Sequence, residues 1–482
     1  MGLEAIQVAI FIAVTAAIGW ITYIKCKQAP RQEDSNREYF LAGGGLSWVF
    51  VAGSITLTNL STDQLVGMNG NQMLLMAWWE LAAVVGLIIL AKVFLPQYYK
   101  YQCTTTTELL EKRYNNKSIR ALIGGIFILG IAFIWMPAAI YSGSLFMKNM
   151  FQLDIPLIVI AAGFALIGGA YAFFGGLRAV AVSDTYSGVL LLGMAIVVVF
   201  LSLQAIDYDF SGIPHERLTM IGDNDSPIPW HTLLTGMVFI QAFYWSTNQV
   251  ITQRAMAAPN LKEAQKGVFA AAGIRLLIVP AIVVIPGIVS YKLYGDIGDA
   301  AYGKLVGDLL PYWLSGILAA ALAAAVLTTY NSNLNSAVAL YVCDIHEKYI
   351  DKDVNVSRIS ALVTVILVLN SLLMVPLYQQ ANSIIDLLQQ LWGLLSMPIL
   401  SIFIVGLLFK NVEAMAGMIA VVLGVLIYAF FSFVWSPVHY IHMMLVTLVL
   451  CVIIALTINR WVYGNRAELV GRQSSLQEAT ST

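Results

Sequence analysis

Charge is scarce in this chain. Asp, Glu, Lys and Arg make up only 11% of its 482 residues, against roughly 25% in an average globular protein. The formal balance is −1, so there is no basic field to hold nucleic acid. Cysteine is scarce too. Cys26, Cys103, Cys343 and Cys451 stand apart without CxxC or metal-ligand spacing, which argues against a disulfide framework. No Walker motif occurs, so ATP hydrolysis by that route is excluded. The glycine-rich GGAYAFFGG at 168–176 lies in an apolar run with no strand before it and is not a nucleotide loop. His439 and His442 have no evident third ligand and read as interfacial. The opening MGLEA has no basic n-region and no A-x-A site follows, so the first apolar run is expected to be a retained span.

What the chain has is apolar length. Hydrophobic residues make up 59% of it, the mean hydropathy is +0.79, and runs of about 20 apolar residues recur. This predicts an all-α polytopic membrane protein with about thirteen spans. Residues 1–45 hold an extra N-terminal span and a cytoplasmic loop. Residues 46–204 and 230–408 form two blocks separated by an extracellular loop at 205–229. Two further spans occupy 409–461, and 462–482 is a polar tail expected to be disordered. Of 26 Lys and Arg, only Lys148, Arg217, Lys292 and Lys304 fall outside if the N-terminus is outside, while Lys92 and Arg275 lie within spans. The positive-inside rule therefore places the C-terminus in the cytoplasm. That orientation also discounts the N-x-S sequons at Asn116 and Asn355, which fall on the cytoplasmic side.

The second span, LSWVFVAGSITLTN, runs into LSTDQLVGMNG at 60–70. Polar residues and glycines at that depth predict a broken helix lining a cavity. STDQLV at 61–66 returns as STNQVI at 246–251, each in the first span of a five-span block. An odd number of spans turns the blocks opposite ways, the pattern of an inverted repeat with paired discontinuous helices.

Polar residues inside spans are expensive and mark function or interhelical bonds. Asp63 and Gln64 lie at the break. Glu80, between Trp79 and Leu81 in MAWWELAA, suits a sugar, whose hydroxyls would donate to the carboxylate while rings cover its C–H faces; the alternative is a helix–helix hydrogen bond. Arg275 either reaches a ligand or snorkels to the cytoplasm. Gln389 and Gln390 suit a hydroxyl-rich ligand or glue helices. In AAAVLTTYNSNLNS, Thr328 and Thr329 follow an alanine-rich run. Their neutral oxygens, with carbonyls freed by the broken helix, suit a hard cation held weakly enough to leave; the alternative is back-bonding to the preceding turn. Asp184, near the cytoplasmic end of its span, either attracts a departing cation or is a helix-terminal charge.

Over nearly its whole length the chain resembles the sodium/solute symporters, and within them the bacterial sodium/galactose and sodium/glucose cotransporters. The resemblance rests on YFLAGGGLSW (39–48), NLSTDQLVGM (59–68), FGGLRAVAVSDTY (174–186), YWSTNQVITQRAMAAPNLKEAQKG (244–267), VVIPGIVSY (283–291), AAAVLTTYNSNLNS (323–336) and DLLQQLWGLLSMPI (386–399). It implies a five-plus-five inverted-repeat core near 46–408. It further implies a sodium site from the carbonyls of Leu57, Leu60 and Ala325 and the hydroxyls of Thr328 and Thr329, where two serines are usual. Asp184 would serve sodium exit or a second site, which in some relatives draws on hydroxyls at positions here held by Asn331 and Ser332. The sugar site would use Gln64, Glu80, Tyr244 and Gln389, with Tyr244 stacking on the sugar as an inner gate. Gln241 stands where asparagine is usual and Arg275 where lysine is usual, and an arginine can fork onto a carboxylate.

The expected function is sodium-driven import of a monosaccharide by alternating access in a bacterial inner membrane, without bond-breaking chemistry. The expected partners are a small hydroxylated solute, sodium and the bilayer. The rivals are a symporter of an organic anion, vitamin or polyol such as sialic acid or myo-inositol, a sugar sensor that does not translocate, and a membrane enzyme, for which no catalytic constellation is seen.

Overall fold

The computed structural model describes residues 3–27, 41, 44–351, 355–381 and 383–470, except the side chains of 3–5, 25–27, 171–180 and 184. The apolar runs fold as helices, because in lipid a helix satisfies its own backbone. Among the described residues, ten helices are long and apolar enough to cross a membrane by length and composition. The spans expected near 46–70 and 230–253 are interrupted. One consists of helices Trp48–Asn59 and Thr62–Gly70, the other of Gly236–Ser246 and Gln249–Met256.

One expectation differs. The sequence predicts separate spans at 155–173 and 180–204, whereas the backbone runs as a single 49-residue helix, Leu157–Ala205. The intervening FGGLRAV carries glycines but no proline, so every amide can still donate along the helix.

Helix Tyr312–Leu340 forms the centre of the bundle, with Leu318 to Val326 all buried. Its alanines let neighbouring backbones come close. Gly86 serves the same end: a Cβ there would lie 2.4 Å from the Gln241 carbonyl oxygen of the second broken helix. A few helix starts carry side-chain caps. Asn260 accepts from Glu263 N at 3.0 Å. Both sequon asparagines are caps as well, Asn116 accepting from Ser118 N at 2.8 Å and Asn355 from Arg358 N at 3.0 Å. The 205–229 loop is tied down over the bundle: Trp78 Nε1 donates to Met220 O at 2.7 Å, and Arg217 pairs with Asp296 at 2.9 Å.

The start of the expected disordered tail is ordered. Phe409–Lys410 pairs antiparallel with Glu468–Leu469, and Val470 N donates to Leu408 O at 2.9 Å. Backbone pairing of this kind needs no particular side chains, so composition carries no sign of it. Residues 471–482 lie outside the described residues.

Candidate functional site

The first helix break determines which groups are free. Leu60 ends the first half at φ −72° and ψ 69°. Its amide donates to Thr56 O at 2.8 Å, and the Ser61 amide donates to Asn59 O at 2.7 Å. In an unbroken helix Ser61 would serve the Leu57 carbonyl; here that carbonyl loses its usual donor. Helix Tyr312–Leu340 lies against this half, with Thr58 Oγ1 and Ser332 Oγ 3.5 Å apart.

Leu57, Leu60 and Ala325 are fully buried, and Thr328 and Thr329 nearly so. The two threonines behave differently. Thr328 Oγ1 donates back to Ala325 O at 3.1 Å, the back-bonding arrangement. Thr329 Oγ1 is buried without a partner, which is costly unless something occupies the site. Freed carbonyl, orphaned hydroxyl and absence of a basic side chain in the set fit a hard cation. The Asp184 side chain lies outside the described residues. Its helix packs on the same half-helix, since a Cβ on Gly188 would meet Leu57 Cβ at 3.5 Å.

The second group of predicted residues gathers around Glu80. Gln64 Nε2 donates to Glu80 Oε1 at 2.9 Å. Arg275 Nη1 bonds the other carboxylate oxygen, Nη2 donates to Thr56 O at 3.2 Å, and the guanidinium lies 4.6 Å from the Trp245 ring centroid. Arg275 is fully buried, so it does not snorkel. Gln241 Nε2 donates to Trp79 O at 3.0 Å, and its oxygen accepts from Trp245 Nε1 at 2.8 Å. Tyr244 Oη accepts from Asn59 Nδ2 at 2.9 Å, and its ring stacks on Trp392 at 5.0 Å and 22°. Gln64 Oε1 and Gln389 Oε1 are buried without partners. Gln64, Glu80, Gln241, Tyr244 and Gln389 line one cavity of about 20 Å³, with Arg275 behind Glu80 and outside the lining; that is room for about one water, so the site is closed around its own side chains. Gln390, by contrast, does not line it.

A neighbouring cavity of about 30 Å³ lies at the break itself, lined by Asp63, Ser61, Thr329, Asn333 and Asn248 among others. Trp135 reaches it from the wide turn Ile131–Trp135.

Three participants are absent from the sequence reading. Asn59, Trp245 and Trp392 hold or cover predicted residues. Trp392 lies three residues after Gln389, on the same helix face, which was a usable signal. A charged network away from these cavities is also absent from it: Arg120 bonds Asp344 at 2.6 Å and Glu111 at 2.7 Å, and Lys348 lies 3.2 Å from Glu111. It joins residues far apart in sequence, and no local pattern reveals it.

Residues 39–424 match the family model described as Sodium:solute symporter family. The chain is 32% identical over 488 residues to the uncharacterized symporter YidK of Escherichia coli (strain K12), covering 95% of this chain and 84% of that one. It is 30% identical to the sodium/glucose cotransporter of Vibrio parahaemolyticus, over 92% of this chain and 88% of that one. Its fold is that of a solved Na+-coupled sialic acid symporter in a substrate-bound outward-open state, with a TM-score of 0.81 at 18% identity over 96% of this chain and 99% of that one.

Proposed function

This chain belongs to the sodium:solute symporter family, and we propose that it couples sodium influx to uptake of a neutral hydroxylated solute, a monosaccharide of the glucose or galactose type. It is a sodium-coupled solute symporter and an integral membrane protein, not an enzyme. The observation that carries the solute class is the Arg275–Glu80 pair. An arginine already bonded to a carboxylate does not offer its charge to an acidic solute, and Glu80 would repel one. What remains is a neutral wall of amides with Trp79, Trp245 and the Tyr244–Trp392 stack beside it, a lining that suits C–H faces and hydroxyls.

In this reading Gln64, Glu80, Gln241 and Gln389 bond the solute, and Arg275 orients Glu80. Tyr244 is the inner gate, held by Asn59. Sodium is held by the carbonyls of Leu57, Leu60 and Ala325 and the hydroxyls of Thr328 and Thr329, and Asp184 lies on its exit route. Sodium there orders the first break and so favours the solute-competent form by population shift. The repeats 46–204 and 230–408 rock about this centre, in a bacterial inner membrane with the N-terminus outside.

The test is uptake of radiolabelled galactose, glucose, myo-inositol and sialic acid into proteoliposomes with and without a sodium gradient. Uptake of a neutral sugar that requires sodium and is lost in Thr328→Ala/Thr329→Ala is the expected result. Uptake of sialic acid alone overturns the solute class.

A further inference from the structure

We propose that Asp63 holds a second sodium ion, in the cavity at the first helix break, apart from both the ion assigned above to Thr328 and Thr329 and the Asp184 region. The inference rests on charge. Three ionisable side chains among the described residues are buried around the two cavities: Asp63, Glu80 and Arg275. Glu80 and Arg275 cancel one another. Asp63 is buried, and its side-chain partner is the Ser61 hydroxyl, which donates to it. Among the described residues no basic side chain pairs with it. A buried carboxylate left in that state is costly, and in a membrane-spanning core a counter-charge is the usual remedy.

The helix start answers part of the need. Asp63 lies in the first turn of Thr62–Gly70, where the backbone supplies roughly half a positive charge. The rest of the charge stays uncompensated. The cavity beside it is built for a cation rather than a base. Its polar lining includes Ser61, Asp63, Asn248, Thr329 and Asn333, and no Lys, Arg or His. Thr329 Oγ1 is buried without a partner. Asn333 spends its amide nitrogen on Thr329 O at 3.1 Å, which leaves its carbonyl oxygen as an acceptor. Oxygen donors with one carboxylate are the set that a small hard cation takes. The volume of about 30 Å³ suits one ion or water. Of the residues assigned to the first ion, only Thr329 lines this cavity, so the two positions share one hydroxyl and are otherwise separate.

The experiment is equilibrium binding of radiolabelled sodium to the purified full chain without solute. Asp63→Asn is expected to halve the sodium bound at saturation, Thr328→Ala to remove the other half, and the combined variant to bind none. Asp63→Glu, which keeps the charge, is expected to restore binding; a loss in Asp63→Asn that Asp63→Glu does not restore is a folding defect and overturns the proposal. Asp63→Asn binding as much sodium as the unaltered chain overturns it too, because the carboxyl is then permanently protonated. If Thr328→Ala changes nothing while Asp63→Asn loses its share, the first-ion assignment fails and this one stands.

Discussion

The two helix breaks carry nearly the same letters and satisfy them to different extents. At the second, every side chain of STNQ is tied to protein. Ser246 Oγ donates to Gly86 O at 3.2 Å, Thr247 Oγ1 to Phe243 O at 2.9 Å, Asn248 Oδ1 accepts from Val250 N at 3.0 Å, and Gln249 Oε1 accepts from Thr106 N at 2.8 Å. At the first, Thr56 Oγ1, Asn59 Oδ1, Thr62 Oγ1 and Gln64 Oε1 are buried and unpartnered, and Asp63 has no basic partner among the described residues. Buried polar groups are normally paired, and unpaired ones collect where a ligand belongs. The second break is thus a fixed joint, and the first is where the proposed function puts ion and solute.

The largest effect should come from unbalancing the first break. Glu80→Ala leaves Arg275 buried without its counter-charge, at a cost of about 3–5 kcal/mol. A markedly lower Tm in detergent is expected, with uptake abolished, and a Glu80→Gln/Arg275→Gln double variant should recover much of that stability. Next, Thr329→Ala should raise the half-saturating sodium concentration about tenfold, or roughly 1.4 kcal/mol, read from sodium-dependent uptake. The matching change at the second break, Thr247→Ala, should leave it unmoved. Equal shifts in both would erase the distinction between the breaks. Ser246→Ala should cost about 1 kcal/mol of stability through its lost bond, again without moving sodium affinity.

The smallest effect is one of pH at the Gly70 end of the first broken helix. Asp299 lies where a Cβ on Gly70 would touch it, and it accepts from Ile384 N at 3.0 Å. Burial pushes its carboxyl up to about 6; the Ile384 amide opposes this and Asp386 adds to it. The folded form then holds the proton more tightly than the unfolded one. Its stabilising share is complete below the ordinary value of 3.8 and is lost as pH rises through about 6. Tm should fall between those values by a component that Asp299→Asn removes.

Much of this was legible in the sequence, for identifiable reasons. The breaks were, because Ser, Thr, Asp and Gln in the middle of an apolar run have few structural excuses, and the STDQ/STNQ echo placed the second. The closeness of Gln64, Glu80, Gln241 and Arg275 followed from the family resemblance. The bond between Glu80 and Arg275 did not. They lie 195 residues apart, each reads alone as a ligand, and only packing reveals that they neutralise each other. Asn59 was hidden similarly, since its role exists only through Tyr244. The continuity of Leu157–Ala205 and the Phe409–Leu469 pairing are backbone matters that side-chain pattern does not encode.

The central claim is that ion and solute meet at the first break and stabilise the same form. It is tested most directly by the affinity for the proposed sugar solute at zero and at saturating sodium, paired with sodium affinity at zero and at saturating sugar. The account predicts that sodium raises sugar affinity and sugar raises sodium affinity by one and the same factor, and that Thr247→Ala retains that factor while Thr329→Ala shrinks it. A sugar affinity indifferent to sodium would contradict it.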